Sequence, residues 1–411
     1  VQNTPRGNRL HIAIFGRRNA GKSSLINALT NQEIAIVSSV AGTTTDPVYK
    51  AMEILPIGPV VLIDTAGIDD EGELGELRVK RSRDVLNKTD LALLVVGAGA
   101  AVSRFEEDLL RLCREKNLPV VGVVNKTDLH HDGADTVNAF AELLRSKPVE
   151  VSAVTGYGIT ELKIAIIRSA PPGWDEQPIV GDLLDPGALV VLVVPIDKAA
   201  PKGRLILPQV QTIRDILDHG AISVVAREEE LKQAISELTQ KPRLVITDSQ
   251  VFRKAESDTP PEVPLTSFSI LFARYKGDLE TLVAGAAAID KLRPGDRVLM
   301  AEACTHHRVE DDIGRVKIPR WLRQSAGGEL NFDWSSGFGF PDKLAEYKII
   351  IHCGACMINR REMLARIARA REAGIPIVNY GVAIAHLMGI LPRALSPFPD
   401  IRQMLLKDAK K

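Results

Sequence analysis

Cysteine is scarce in this chain: four residues in 411, at positions 113, 304, 353 and 356. So few thiols exclude the dense disulfide framework of small secreted domains. Net charge is absent too, with 52 Lys and Arg against 52 Asp and Glu. That balance gives no basic surface for phosphate contacts, so no nucleic-acid partner is expected. No apolar run reaches the roughly 18 residues of a membrane-spanning helix and no signal peptide opens the chain, so no membrane partner is expected and the location is read as cytoplasmic. Thiols stay reduced there, which turns clustered cysteines towards metal binding or catalysis. A composition of 45% hydrophobic and 25% charged residues over 411 positions is that of a globular protein of two to four domains. Cys113 lies in a helical pattern, Glu106 to Cys113, and is read as buried on its inner face.

A strand pattern from Arg9 to Phe15 runs directly into Gly16-Arg17-Arg18-Asn19-Ala20-Gly21-Lys22-Ser23-Ser24, and a helix pattern follows. Glycines at these positions let backbone N–H groups curl round phosphates, and the helix N-terminus adds its positive dipole end. Lys22 would reach the β- and γ-phosphates and Ser23 would bind Mg²⁺. The strand Val60–Ile63 ends in Asp64-Thr65-Ala66-Gly67, where a Mg²⁺-supporting carboxylate and an amide facing the γ-phosphate belong. A further strand ends in Asn125-Lys126-Thr127-Asp128. A carboxylate at Asp128 accepts two N–H bonds from the guanine edge, which adenine does not offer. Val149 to Val151 leads to Ser152-Ala153, whose backbone can meet the guanine carbonyl.

These motifs, in this order and at strand ends, resemble the Era and MnmE-like group of translation-factor-class P-loop GTPases. The resemblance implies hydrolysis of GTP to GDP with Mg²⁺. It makes Ala41 to Asp46 the switch I segment, with Thr43 and Thr44 at the nucleotide and Thr44 on Mg²⁺. Ile68 stands where Ras-like enzymes carry a catalytic glutamine, so water must be oriented otherwise; Glu76 is one candidate. Asn19 matches the asparagine with which K⁺-activated relatives hold a potassium ion, which implies K⁺ stimulation. The catalytic candidates are therefore Lys22, Thr44, Gly67 and Glu76.

Ala170-Pro171-Pro172-Gly173 breaks the chain, and strand and helix patterns then alternate from 188 to 247. No phosphate loop falls inside that stretch, which is read as a scaffold or oligomerisation surface. A second Pro-rich break lies near 258–264. The expected architecture is α/β: a P-loop GTPase domain at 1–172, then two smaller, mainly parallel α/β domains at 173–262 and 263–411. In the last, Leu279–Leu292 is expected as a helix, 327–341 as a loop or apolar plug, and His386 as a core residue.

The last region carries the remaining thiols. Arg297–Ala301 is a strand leading to Cys304-Thr305-His306, and Tyr347–Ile351 leads to His352-Cys353-Gly354-Ala355-Cys356. If both strands lie in one parallel sheet, their carboxyl ends share one crevice. Three thiols with His306 or His352 suit Cys₃His zinc and an iron–sulfur cluster alike. Ligands delivered by strands of a domain that already has a core point to a functional metal rather than a structural staple.

The whole layout resembles the [FeFe]-hydrogenase maturation GTPase family. That resemblance implies a dimer held by the middle domain and a [4Fe–4S] cluster on Cys304, Cys353 and Cys356, with His306 or His352 at the remaining iron. It also implies a scaffold that takes up a transient di-iron precursor and hands it to apo [FeFe]-hydrogenase, with two radical-SAM maturases as further partners. The rival reading is a ribosome- or tRNA-associated GTPase with a structural zinc site.

Overall fold

Leu10–Phe15 (β1) is buried at every position, as a strand covered on both faces must be. The computed structural model describes residues 4–30, 48–65, 75–129, 134–174, 177–196, 205–303, 312–337 and 339–408, with the backbone alone at 75–79 and 408. It divides into two compact units, Val1–Glu176 and Gln177–Lys411.

In the first unit β1 is followed by α1 (Lys22–Thr30), β2 (Val48–Ile54), β3 (Gly58–Asp64), α2 (Gly75–Leu86), β4 (Leu91–Gly97) and α3 (Arg104–Glu115). Then come β5 (Val120–Asn125), α4 (Ala134–Leu144), β6 (Val149–Glu150) and α5 (Ile159–Ser169). The six strands order as β2-β3-β1-β4-β5-β6. Every pairing is parallel except β2 with β3. The strand β2, with its Lys and Glu, was not foreseen: an edge strand needs only one half-buried face, so its apolar signal is weak. Cys113 is buried on α3, as its helical pattern predicts.

The second unit holds two four-stranded sheets. The first is built from β7 (Leu189–Val193), α6 (Leu207–Asp218), β8 (Ile222–Ala226), α7 (Leu231–Glu237), β9 (Leu244–Thr247), α8 (Phe252–Asp258) and β10 (Leu265–Ser267). Its strand order is β10-β9-β7-β8, all parallel. After α9 (Phe268–Lys276) and α10 (Leu279–Ala286), the second sheet is built from β11 (Arg297–Glu302), α11 (Ile318–Ala326), β12 (Asn331–Ser336), β13 (Ile349–His352), α12 (Arg360–Glu372) and β14 (Ile377–Asn379). Its order is β12-β11-β13-β14, again all parallel. Helices α13 (Tyr380–Leu387), α14 (Leu391–Ala394) and α15 (Pro399–Asp408) close the described chain. The predominantly parallel α/β architecture is therefore as the alternating pattern predicts.

Three details depart from expectation. The break placed at 262 precedes β10, which still joins the earlier sheet, and a single apolar core reaches from Val190 and Ile246 to Val298 and Ile350. The helix expected at 279–292 ends at Ala286 and passes into a 3-10 turn, Ile289–Lys291, that keeps Ile289 buried. The stretch read as loop or plug contains β12, an edge strand whose Asp333 pairs with Arg297 of β11 at 2.7 Å. Polar residues are tolerated there because only one neighbour covers it.

Ile350 sits fully buried at the centre of this core. Ile350→Ala is expected to cost about 3 kcal/mol in denaturant unfolding of the second unit. A loss below about 1 kcal/mol would contradict the core assignment.

Candidate functional site

The carboxyl ends of β1, β3 and β5 bring the nucleotide motifs to one edge of the first sheet. Gly16 leaves β1 with φ of +155°, and a Cβ there would collide with the Val95 carbonyl oxygen, so the phosphate loop closes only on glycine. Lys22, buried to 7% exposure, opens α1 and donates to the carbonyls of Gly16 and, at 3.2 Å, Arg17. Ser23 Oγ donates to Asp64 Oδ2 at 2.9 Å. That places the two Mg²⁺ candidates side by side, one hydroxyl from α1 and one carboxylate from β3. Thr65 Oγ1 donates to the Ile14 carbonyl at 2.6 Å and pins the start of the Asp64–Gly67 motif to β1.

Asn125 is the link between the motifs. It is 1% exposed, and its Nδ2 donates to the carbonyls of Ala20 (3.0 Å) and Gly21 (3.4 Å), while its Oδ1 accepts from Ala153 N (3.1 Å). The side chain thus holds the phosphate loop and the Ser152-Ala153 loop together. Lys126 stands at φ +66°, and its aliphatic stem lies against Gly21. Asp128 and Ser152 line one cavity of about 650 Å³, with Thr127 and Tyr157. The backbone donors expected to meet guanine already have protein acceptors: Ser152 N on Tyr157 O, and Ala153 N on Asn125 Oδ1. A guanine carbonyl would share or displace the second of these. Asn19 is exposed at the crown of the loop in the left-handed region, φ +63°, and Ser24 faces solvent on α1. Thr43, Thr44 and Gly67 lie outside the described residues, and Glu76 is described by backbone alone, in α2.

One partner pair was not foreseen. Arg17 of the phosphate loop donates from Nε to Glu106 Oε1 at 3.1 Å and from a terminal nitrogen to the Ala101 carbonyl. Glu106 is fully buried and also accepts from Ser103 N (2.8 Å) and Ser103 Oγ (2.6 Å), completing the capping box of α3. The Ser-x-x-Glu spacing signals the cap, but nothing local signals the arginine 89 positions away.

A second constellation stands at the carboxyl ends of β11 and β13. They are parallel neighbours in register, Met300 beside Ile351 and Ala301 beside His352, so the two thiol-bearing turns leave the sheet at the same edge. Ala303 N donates to Cys353 Sγ at 3.1 Å. An N–H aimed at sulfur favours the thiolate, the form that binds metal. Cys353 is buried and Cys356 half-buried, and Ala355 between them adopts φ +56°. His352 is fully buried; Nδ1 is 2.8 Å from the Cys353 carbonyl and Nε2 is 3.1 Å from Arg366. Tyr380, at the start of α13, reaches Glu302 at 3.4 Å. Burial pushes its phenol well above the usual range, and the charges of Cys353 and Glu302 add to this. Among the described residues no three His, Cys, Asp or Glu side chains stand close enough to hold a metal ion; Cys304 and His306 lie outside them. The donor chemistry present, a buried thiol taking a backbone N–H beside a second thiol, suits a thiolate-bound metal or cluster. His386, expected in the core, instead pairs with Asp290 at 2.9 Å on a partly exposed surface, where its polar ring finds an acceptor.

Comparison with known families separates a GTPase part from the rest of the chain. Residues 280–397 match the hydrogen maturase F tetramerization domain, and 179–277 match the hydrogen maturase F dimerization domain. The two matches together cover more than half of the chain. The chain belongs to the hydrogen maturase F family. Residues 11–126 match the model described as 50S ribosome-binding GTPase. The tRNA modification GTPase MnmE of Desulfotalea psychrophila is 37% identical over 177 residues, 41% of this chain and 37% of that protein. GTPase Der of Mycoplasmopsis agalactiae is 34% identical over 169 residues, 38% of each. The chain thus spans well under half the length of these curated relatives. The solved Era structure from Aquifex aeolicus is 20% identical, covers 53% of this chain and 92% of that one, and superposes with a TM-score of 0.35. The N-terminal unit carries a GTPase domain, and the family has its own oligomerisation domains in the second unit.

Arg17→Met tests the tie between the phosphate loop and α3. With the Arg17 side chain 39% exposed, solvent screening leaves about 1 kcal/mol or less of pair stability. Loss of loop preorganisation should weaken GDP and GTP alike by about 3- to 5-fold. Turnover at saturating GTP should hold. Titration calorimetry giving unchanged affinities, or a fall in turnover alone, contradicts the positioning role.

Proposed function

We propose that this chain is a GTP-hydrolysing scaffold. It binds a [4Fe–4S] cluster on Cys304, Cys353 and Cys356, receives a di-iron precursor as cargo, and passes it to apo [FeFe]-hydrogenase. The observation that carries this reading is the shared edge of β11 and β13, where the turn leading to Cys304 donates an N–H to the sulfur of Cys353. Membership of the hydrogen maturase F family supports it. Three thiolates leave one iron of a four-iron cluster for a ligand other than cysteine. When bound, the cluster supplies that iron as an attachment point; the chain's own part is to hold the thiolates and keep the crevice shaped.

In the first unit, Gly16 to Ser24 cradle the phosphates, with Lys22 on the β- and γ-oxygens. Ser23 and Thr44 bind Mg²⁺, and Asp64 supports it. Asp128 reads guanine with Asn125, Lys126, Ser152 and Ala153 around the base. Asn19 holds K⁺ and raises turnover, Gly67 faces the γ-phosphate, and Glu76 orients water. The nucleotide state biases the release of two radical-SAM maturases and of the hydrogenase, because the γ-phosphate and Mg²⁺ order the switch segments. The chain works as a cytoplasmic homodimer through the middle sheet, whose edge strand β8 exposes Ile222 and Val225. The ribosome- or tRNA-associated reading rests on relatives that match 41% and 38% of this chain.

Two outcomes are expected. Cys353→Ser abolishes bound iron while GTP turnover stays within about twofold, since the substitution lies in the other compact unit. Iron analysis with a phosphate-release assay checks this, and a collapse of both would make the metal structural. Asp128→Asn exchanges an acceptor for a donor and should lower GTP affinity by at least about 100-fold. Unchanged GTP binding would remove Asp128 from the base site.

A further inference from the structure

We propose that Arg366 is the positioning residue of the cysteine loop, and that His352 holds this loop by hydrogen bonds rather than by binding metal. The inference rests on the cluster reading above. Helix α12 begins immediately after the loop, and Arg366, less than two turns in, reaches back to where the loop began. Its Nη1 lies 3.1 Å from His352 Nε2, with Arg366 at 1% exposure and His352 at 0%. A guanidinium has only N–H groups to offer, so Nε2 must be the acceptor. The ring proton therefore sits on Nδ1, where it is donated to the Cys353 carbonyl at 2.8 Å. Both ring nitrogens are then in use.

The rest of the guanidinium is equally committed. Nε donates to Glu362 Oε1 at 2.9 Å and Nη2 to the Gly337 carbonyl at 2.7 Å, and the group lies over the Phe340 ring. Glu362 N in turn donates to Asn359 Oδ1, the cap of α12, at 3.2 Å. One buried chain of contacts thus ties the start of the loop, at the Cys353 carbonyl, to its end, at Asn359. A histidine that binds metal spends one nitrogen on it and the other on a supporting group. For His352 to turn Nε2 to iron, a buried Arg366 N–H would lose its acceptor, which low-polarity surroundings penalise.

The test uses the full chain, reconstituted anaerobically with iron and sulfide, in wild-type form and as His352→Gln, His352→Ala, Arg366→Lys and Arg366→Met. A glutamine at 352 can accept from Arg366 and donate to the Cys353 carbonyl. The expected result is that His352→Gln keeps wild-type iron content and an unaltered electron paramagnetic resonance spectrum of the reduced cluster. Arg366→Met and His352→Ala should release iron to a chelator about 10-fold or more readily, with Arg366→Lys between. Denaturant unfolding of the second unit, which holds both residues, reports that each variant is folded, and if Arg366→Met fails to fold, Arg366→Lys and His352→Gln still decide. A ¹⁴N coupling on the reduced wild-type cluster that vanishes in His352→Gln overturns the inference and makes His352 a ligand. Equal iron retention in all variants overturns it too. A wild-type chain that takes up no iron and sulfide overturns the cluster reading and this inference with it.

Discussion

A parallel strand can deliver a loop to only one edge of its sheet, and both candidate sites of this chain depend on that constraint. In the first unit β1, β3 and β5 end together, so the phosphate loop, the Asp64 motif and the Asn125 motif meet although they are spread over more than a hundred residues. In the second unit β11 and β13 are parallel neighbours, and their ends bring residues 303 and 353 within hydrogen-bond reach. Crossover connections of consistent hand produce this alignment without any motif having to specify it. The chemistry differs between the two edges because the turns differ: glycines and a lysine at one, thiols at the other.

Each edge is then tightened by a buried polar side chain that lies outside the nucleotide and thiol motifs. Glu106 anchors Arg17 beside the phosphate loop, and Arg366 anchors His352 beside the thiols. Such contacts seldom add much net stability: solvent screens the half-exposed Arg17 beside Glu106, and desolvation offsets the attraction between buried Arg366 and Glu362. What they do supply is geometry, because a partly satisfied network would be costly to leave in place. Asn125 acts likewise with neutral groups, joining two loops through three hydrogen bonds.

Much of this was legible in the residues. The strand at 244–247 and the strand–glycine–helix entry at 10–30 declare themselves through apolar runs and punctuating glycines. The strands that lead to Cys304 and Cys353 were legible as apolar runs, and their neighbouring parallel ends followed from the α/β pattern. What escaped depends on partners far away in sequence. The strands β2 and β12 are half-polar because they lie at edges, and edge position is a tertiary fact. That β10, past the prolines near 262, pairs with β9 of the earlier sheet is likewise a tertiary fact. The occupation of both nitrogens of His352 depends on an arginine fourteen residues on, whose helix face becomes inward only when the sheet exists.

The proposal central to this account is that the GTPase domain is joined in one chain to a site that holds an iron–sulfur cluster. The measurement that tests it most directly is metal and sulfide content of the anaerobically purified full chain, read with its absorption spectrum. A brown protein with four irons and four sulfides per chain, about the composition of one cluster, is the predicted result. A colourless protein carrying stoichiometric zinc and no sulfide would contradict the account.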